Sequence, residues 1–292
     1  MFKSDGPLLL ATNHPNSFLD AVILATLFKK PVHSLTRGDA FGNKFYAKLL
    51  TSLHMVPVYR ISEGAENLGH NYTTFEYCKK VFKQNGIVLI FCEGICINEW
   101  HLRSLKKGTA RLAISSWQEG IPLKVLPVGI NYNSFTSFGK NIQMNFGYPI
   151  TEKEFDPSHS HGKSIGGFND NLNEQLKKLV IEIDKKDIKT RIQRFTVVQP
   201  LFKKILLFTP ALLGWLLHAA FYLPLRNFSW KRFAKDDHFD SVLIGLLLLL
   251  YPMFLVMISL VVCIFVGVWY GMAVFPVLPF CAWSYVQLKR QF

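Results

Sequence analysis

An Asn-His pair directly after an apolar run is the first candidate for chemistry in this sequence. The stretch "NHPNSFLDAV", residues 13–22, follows the apolar run "GPLLLAT". His14 therefore stands where a short buried strand ends and a helix begins, and Pro15 favours an extended backbone at His14. Asp20 can orient the imidazole, and a neutral His14 can then take a proton from a substrate hydroxyl. The plainer interpretation is that Ser17 and Asp20 form a capping box and that His14 is an ordinary loop residue.

Charged residues also follow the next three predicted strands. They are Arg37 after strand 31–36, Arg60 after strand 55–59, and Glu93 with Gly94 after strand 87–92. Each alone is typical of a protein surface. If the strands are parallel, however, their carboxyl ends share one edge of the sheet, which is where open α/β sheets bind ligands. The joint pattern therefore predicts a functional site at that edge.

Strand and helix signals alternate over the first 195 residues. The predicted strands are 7–12, 31–36, 55–59, 87–92, 123–130 and 142–147, and the predicted helices are 16–29, 41–53, 64–85, 106–119 and 166–186. Gly86 and Gly120 follow two of these helices as C-cap residues. Near-continuous apolar strands separated by helices indicate an α/β fold with a largely parallel sheet flanked by helices. Residues 1–195 are thus predicted to form one catalytic domain.

Residues 196–292 are predicted to form a hydrophobic helical membrane region with two to three segments, at about 205–225, 242–264 and 267–286. The stretch 242–286 has no Lys, Arg, Asp or Glu, which gives room for two passes at about 20 residues each. Basic residues flank every segment, so simple alternation cannot place all of them on one side. We therefore prefer a re-entrant or interfacial 205–225 segment, interrupted by Pro210 and Pro224.

The chain of 292 residues has a net charge of +13, with 25 basic and 17 acidic residues through position 195 and 8 and 3 after it. Nucleic acid, an anionic membrane surface or a phosphorylated substrate can explain such a charge. The chain has no C-x-x-C pair, zinc-finger spacing or RNA-binding aromatic signature, so we expect no nucleic-acid partner. We also expect no metal, because His159 and His161 in the loop-like stretch 154–167 lack further ligands at metal spacing. Five cysteines and no signal peptide are typical of a cytosol-facing protein with reduced thiols.

Four blocks of this sequence resemble, in order, the motifs of the glycerolipid acyltransferase family, which includes lysophosphatidic acid and glycerol-3-phosphate acyltransferases. The blocks are Asn13-His14 with Asp20, "MVPVYR" at 55–60, "FCEG" at 91–94 and "VLPV" at 125–128. The resemblance covers about residues 6–150 and implies a membrane-associated helical segment upstream, so we expect this N-terminus to be truncated or to start late.

The blocks depart from the family pattern at several positions. The spacing from His14 to Asp20 is one residue longer than usual, and Cys92 replaces a proline. His54 replaces a glycine ahead of Arg60, and Ile95-Cys96-Ile97 stands where Thr-Arg-Ser is usual. Acceptor contacts that other members make through that Arg and Ser are therefore not carried over.

The resemblance implies transfer of an acyl chain from acyl-CoA or acyl carrier protein to a glycerol-phosphate hydroxyl, without a cofactor or a covalent acyl-enzyme. His14 would be the general base and Asp20 its orienting acid. Arg60 would bind the acceptor phosphate with Arg37 in support, and Glu93 and the Gly94 backbone would hold the glycerol portion. Lys106 and Lys107 are further phosphate candidates, although a solvated basic face explains them equally well.

We expect the acceptor to be 1-acyl-sn-glycerol-3-phosphate, with glycerol-3-phosphate or a lyso-aminolipid as alternatives. The expected location is a bacterial-type inner membrane, with the catalytic domain on the cytoplasmic face. Among other classes, a serine hydrolase would need a G-x-S-x-G elbow between a strand and a helix, and we assign none. A zinc hydrolase would need H-E-x-x-H. A membrane lipid-binding scaffold would explain the charge and the tail but not the His-Asp-Arg-Glu set.

Overall fold

The computed structural model describes residues 6–59, 70–154, 158, 160–234 and 237–289. They divide into two compact units. The first unit comprises the residues up to Asn131 together with Gln143–Lys186, and the second comprises Tyr132–Ile142 together with the residues from Asp187 onward. The chain passes from the first unit to the second between Lys186 and Asp187, nine residues before the predicted boundary at residue 195. The sequence also gave no sign that 132–142, which interrupts the first unit, packs with the second.

A six-stranded sheet organises the first unit, in the order β3-β2-β4-β1-β5-β6. Its strands are β1 (Leu8–Thr12), β2 (Val32–Arg37), β3 (Met55–Val58), β4 (Ile87–Phe91), β5 (Lys124–Tyr132) and β6 (Ile142–Phe146). β1 is parallel to both β4 and β5, and β2 is parallel to both β3 and β4. Residues 133–141 alone join β5 to β6, which is too short for a parallel crossover, so β6 is an antiparallel edge strand. The predicted α/β fold with a largely parallel sheet is confirmed.

Five helices accompany the sheet, and β1 lies near its centre. They are α1 (Ser17–Leu27), α2 (Lys44–Ser52), α3 (His70–Lys83), α4 (Gly108–Gln118) and α5 (His161–Leu179). Leu9, Leu10 and Ala11 of β1 are fully buried, as a continuous apolar strand covered on both faces must be. The strand that leads into His14 is therefore anchored in the core of the unit.

The largest differences from the predicted elements lie around the last helices of this region. α5 begins at His161, five residues before the predicted start, and its buried residues Ile165, Phe168, Leu172 and Leu176 have helical spacing. A further helix, α6 (Ile188–Phe195), was not predicted. The predicted C-cap is found at Gly120, where φ is +70°, whereas after α3 the left-handed residue is Asn85 and not Gly86.

Three long helices dominate the second unit: α7 (Leu201–Phe233), α8 (Phe239–Phe265) and α9 (Val268–Leu288). All three are long and apolar enough to cross a membrane. They leave large apolar side chains such as Leu248, Ile264 and Trp269 exposed. Water would oppose such exposure, so this region associates with a membrane. A tight turn at Val266 and Gly267 joins α8 to α9, and Ser259 Oγ donates to the Gly271 carbonyl across it (2.8 Å).

Both ends of α7 meet the last turns of α9. Near its start, Lys203 Nζ donates to Gln287 Oε1 at 2.8 Å. Near its end, Tyr222 and Arg226 line a cavity together with Tyr285 and Lys289. A straight helix would separate residues 203 and 226 by about 34 Å. These contacts therefore indicate a bend in α7, and Pro210 and Pro224, which both lie between them, can each kink a helix.

Candidate active site

The register of the central strands brings His14 and Glu93 together. β1 and β4 pair in parallel, with Thr12 opposite Phe91. His14 and Glu93 each lie two residues beyond this pair, and the backbone N–H of His14 donates to Glu93 Oε2 at 2.7 Å. The predicted clustering at the carboxyl edge of the sheet is therefore realised for these two residues.

His14 and Asp20 form a close pair in which the acid is buried. His14 Nδ1 lies 2.9 Å from Asp20 Oδ2, and the exposed fraction of the side chain is 17% for His14 and 0% for Asp20. A proton on Nδ1 that donates to Asp20 leaves the lone pair on Nε2. The imidazole ring also stacks on Phe91, with ring centroids 3.6 Å apart. Asp20 and Phe91 together fix both the ring orientation and the nitrogen that can accept a proton.

The start of α1 lies at Ser17, one residue earlier than a capping box of Ser17 and Asp20 requires. The N-cap is Asn16, and Asp20 Oδ2 accepts the Asn16 N–H at 2.8 Å. Ser17, the first residue of α1, adopts a left-handed φ of 49° and donates its N–H to Cys96 Sγ. The local turn thus absorbs the extra residue between His14 and Asp20.

Glu93 is a buried carboxylate that accepts hydrogen bonds from two backbone N–H groups. Its Oε2 accepts the N–H of His14, and its Oε1 accepts the N–H of Arg103 at 2.8 Å. Burial raises the pKa of Glu93, while the two backbone donors oppose that shift. Both oxygens are therefore engaged within the protein, and the side chain joins the loop after β1 to the loop after β4.

Asn13 fixes the end of β1 to the neighbouring strand, a role that we did not predict. Its Nδ2 donates to the Ile130 carbonyl at 3.0 Å, and its Oδ1 accepts the Ile130 N–H at 2.8 Å. This side chain continues the ladder between β1 and β5 one step past Thr12. The sequence feature that could have indicated this role is the position of Asn13 immediately before His14, where the strand leaves the sheet.

Residues 96–98, which overlap the stretch 95–97 that replaces the family's Thr-Arg-Ser, hold the His14 loop in place. The Ile97 N–H donates to the His14 carbonyl at 3.3 Å, and Asn98 Nδ2 donates to the Pro15 carbonyl at 2.7 Å. Together with the Ser17 contact to Cys96, these bonds fasten the β4 loop along the turn that precedes α1. Sequence analysis assigned no role to these positions.

The other predicted site residues differ in placement. Arg37 forms an exposed ion pair with Asp39, two residues away. Gly94 has a left-handed φ of +66°, and a Cβ there would lie 3.0 Å from Lys106 Cγ, so the tight turn after Glu93 requires glycine. Lys106 and Lys107 are exposed just before α4. Arg60 lies outside the described residues.

Two alternative chemistries can be compared with the geometry. Residues 162–166 do match G-x-S-x-G, contrary to our assignment, but they belong to the first turns of α5 and not to a strand-to-helix turn. Ser164 Oγ makes no hydrogen bond within the described part of the chain, so no base activates it there. Over the same ranges, no three His, Cys, Asp or Glu side chains are grouped as metal ligands. His159 lies outside the described residues.

A comparison with protein-family models finds one match, in the first part of the chain. Residues 1–131 match the model of a protein family described as Acyltransferase. The chain carries an acyltransferase domain. The matched part of this acyltransferase includes β1, α1, β4 and α4, and hence the His14–Asp20 pair and Glu93.

The acyltransferase is also similar to a solved structure, described as the 1-acyl-sn-glycerophosphate (LPA) acyltransferase PlsC from Thermotoga maritima. The two are 13% identical, with a TM-score of 0.40, over 63% of this chain and 69% of that chain. A similarity at this level supports no conclusion about substrate. No curated protein matches the chain significantly.

Proposed function

We propose that this acyltransferase transfers a fatty acyl chain from an acyl thioester to the hydroxyl of a glycerol-phosphate acceptor, and that this acceptor is 1-acyl-sn-glycerol-3-phosphate. The observation that carries the proposal is the buried Asp20 carboxylate 2.9 Å from His14 Nδ1, at the carboxyl edge of the sheet within the matched acyltransferase segment. A membrane-associated tail fits a lipid substrate, because such an acceptor partitions into the bilayer.

The proposed reaction is a direct displacement at the thioester carbonyl. Asp20 holds the Nδ1 proton, and Nε2 of neutral His14 takes the proton of the acceptor hydroxyl as its oxygen attacks the carbonyl carbon. The C–O ester bond forms, the C–S bond breaks, and the proton on Nε2 passes to the leaving thiolate. Asp20 stabilises the imidazolium that exists between these two proton transfers.

Binding of the acceptor phosphate is assigned to Arg60, because a guanidinium fork matches phosphate oxygens. Arg37 could support it only by exchanging part of its ion pair with Asp39. Lys106 and Lys107 are exposed beside the Gly94 turn and provide further positive charge. For Glu93 we revise the expected role, because two backbone donors already occupy its oxygens. We propose that it positions His14, while the Gly94 backbone remains the candidate contact for the glycerol portion.

The deciding experiment is an acyl-transfer assay on membranes that contain the full chain. Acyl-CoA and acyl carrier protein serve as donors, and 1-acyl-sn-glycerol-3-phosphate, glycerol-3-phosphate and a lyso-aminolipid serve as acceptors. We expect His14-dependent acylation of the first acceptor. Faster acylation of glycerol-3-phosphate or of a lyso-aminolipid would replace the acceptor assignment, and no transfer to any acceptor would support a lipid-binding scaffold. We further propose that the first unit faces the cytoplasm at a bacterial-type inner membrane.

A further inference from the structure

A cavity with basic side chains lies in the membrane-associated second unit, which does not contain His14. A cavity of about 470 Å³ is lined by Arg226 and Tyr222 of α7, by Tyr285 and Lys289 at the end of α9, and by loop residues 136–138. All of these residues belong to the second unit. The proposed acyl-transfer reaction uses none of them.

The lining of the cavity provides positive charge and hydroxyl groups. None of the described residues that line it is acidic, whereas two are basic and four carry a hydroxyl group. The nearby Asp240 is paired with Lys140, and both side chains are almost completely buried. The charge of Asp240 is therefore at least partly balanced by Lys140.

Lys289 carries its charge at an energetic cost. Burial, and then the charge of Lys140, lower the pKa of Lys289. Its Nζ donates to the Phe138 carbonyl, which orients the ammonium group toward the loop. An anion in the cavity would stabilise the ammonium form, so binding an anion and retaining the Lys289 proton favour each other.

The position of the cavity along the helices corresponds to lipid headgroups. Lys289 directly follows Leu288, the last residue of α9, and Arg226 lies one to two turns before the basic end of α7 at Lys231 and Arg232. Aromatic side chains surround this level: the Arg226 guanidinium lies 5.9 Å from the Trp230 ring centroid, and the Phe138 ring packs on Tyr222. Basic and aromatic residues at helix ends are typical of the membrane interface.

We propose that this cavity binds the phosphate group of an anionic phospholipid. The guanidinium of Arg226 and the ammonium of Lys289 would hold phosphate oxygens, and the tyrosine hydroxyls would donate further hydrogen bonds. The acyl chains would lie along the exposed apolar faces of α7 and α9. Free phosphate shares the same recognition chemistry, and the experiment below separates the two sources.

The test compares three forms of the full chain in a neutral detergent: wild type, Arg226→Gln with Lys289→Gln, and Lys231→Gln with Arg232→Gln. The last pair is the matched control, because it removes the same charge from exposed positions at the end of α7 that do not line the cavity. Thermal stability is titrated with phosphatidylglycerol, with phosphatidylcholine and with inorganic phosphate. We expect phosphatidylglycerol to stabilise wild type and control, and its apparent affinity to fall about tenfold or more in the cavity variant.

Each outcome decides for or against the site. If the cavity variant and the control lose equal amounts of affinity for phosphatidylglycerol, the attraction is a nonspecific surface effect and the proposal is overturned. Full retention of that affinity in the cavity variant would also overturn it. If inorganic phosphate stabilises the wild type as strongly as phosphatidylglycerol does, the ligand of the cavity is a free anion and not a lipid. If the cavity variant does not fold, Thr136→Asp on the exposed loop places a negative charge at the cavity, and the phosphatidylglycerol effect must then disappear.

Discussion

At the scale of single residues, Asp20 performs two tasks with one oxygen atom. Oδ2 accepts a hydrogen bond from the backbone of Asn16, and it also lies 2.9 Å from His14 Nδ1. The start of α1 and the orientation of the imidazole therefore depend on the same carboxylate. A loss of activity on changing Asp20 has two physical sources, which must be separated by experiment.

We expect His14→Ala to lower kcat for acyl transfer by about 10²–10⁴-fold, because the general base is removed. The protein should still accumulate in membranes, since His14 is partly exposed and its main anchoring contacts are made by its backbone. Acyl-transfer rates are measured on membranes with matched protein amounts. A variant that keeps more than about a tenth of the wild-type rate would exclude His14 as the base, given the size of that effect.

Asp20→Asn should lower kcat about a hundredfold or more, because a neutral amide does not stabilise the imidazolium and its NH2 group can hold the wrong imidazole tautomer. The weakened helix start should cost about 1 kcal/mol of stability. The rate and the unfolding midpoint are therefore measured together. If the rate falls only in proportion to the unfolded fraction, Asp20 has a purely structural role.

Glu93→Gln tests whether Glu93 positions the base or binds the acceptor. A glutamine offers one acceptor oxygen where two backbone N–H groups now donate, so the His14 backbone should shift. We expect a kcat at least about tenfold lower with an unchanged KM for the acceptor, because small misplacements of catalytic groups are costly. Glu99→Gln, which loses only a partly exposed ion pair with Arg103, is the control and should retain wild-type rates. A raised KM with normal kcat would return Glu93 to acceptor binding.

Arg60→Ala should raise the KM for a phosphorylated acceptor by about tenfold or more, since a charge-assisted bidentate contact is lost, and should change kcat less. The comparison is made with an unphosphorylated acceptor of the same chain length, for which the variant and the wild type should behave alike. If wild type uses both acceptors equally well, the phosphate role of Arg60 fails and a lyso-aminolipid becomes the better acceptor.

The sequence was sufficient for residue positions that depend on strand ends, and insufficient for contacts that depend on loop geometry. His14 and Glu93 could be placed together because both follow apolar strands of a parallel sheet. The direction of the Glu93 oxygens could not be predicted, because one of them accepts the N–H of Arg103, which lies ten residues later in a loop. The ion pair of Arg37 with Asp39 could not be predicted either, although the two residues are close in sequence. Ion pairing in a turn depends on the backbone conformation.

At the scale of elements, close contact between α7 and α9 depends on Gly214. A Cβ at this position would overlap the Cys281 carbonyl, which is backbone and cannot move aside. We expect Gly214→Ala to destabilise the protein in detergent by about 1–3 kcal/mol, the usual cost of overpacking. Gly245→Ala in α8 is the matched control, because a Cβ there meets nothing within 4 Å. The control should be neutral or more stable, because Ala favours a helix over Gly. Equal destabilisation of both variants would show that the contact with Cys281 is not the cause.

Element boundaries followed the apolar pattern where it was continuous and departed from it where glycine interrupted it. β1 and β4 were predicted within one residue at each end, since their sequences are almost continuous apolar runs. α5 was predicted to start late, because Gly166 and Gly167 concealed a helix whose buried residues extend back to Ile165. α6 is short and has only Phe195 buried, so its sequence has little periodic signal.

At the scale of the whole molecule, the contacts of the three long helices define a common end. Trp230 of α7 packs on Phe239 of α8, with ring centroids 5.3 Å apart, and Lys140 pairs with Asp240 at the start of α8. The end of α9 lies at the same loop, through the bond from Lys289 to Phe138. Because Lys203 also contacts the last turns of α9, both ends of α7, the start of α8 and the end of α9 lie on one side of this unit.

This arrangement predicts a membrane hairpin of α8 and α9 beside a re-entrant α7. Reporter tags placed before Met1, after Ala234 and after Phe292 should then all report the same side, which positive charge at each end marks as cytoplasmic. The protein should remain with membranes through high salt and alkaline wash, because hydrocarbon burial is not screened by salt whereas surface attraction is. A tag before Met1 on the opposite side from the tag after Ala234 would show that α7 crosses fully. A tag after Phe292 opposite to the tag after Ala234 would exclude the hairpin, and release by salt alone would exclude insertion of the tail.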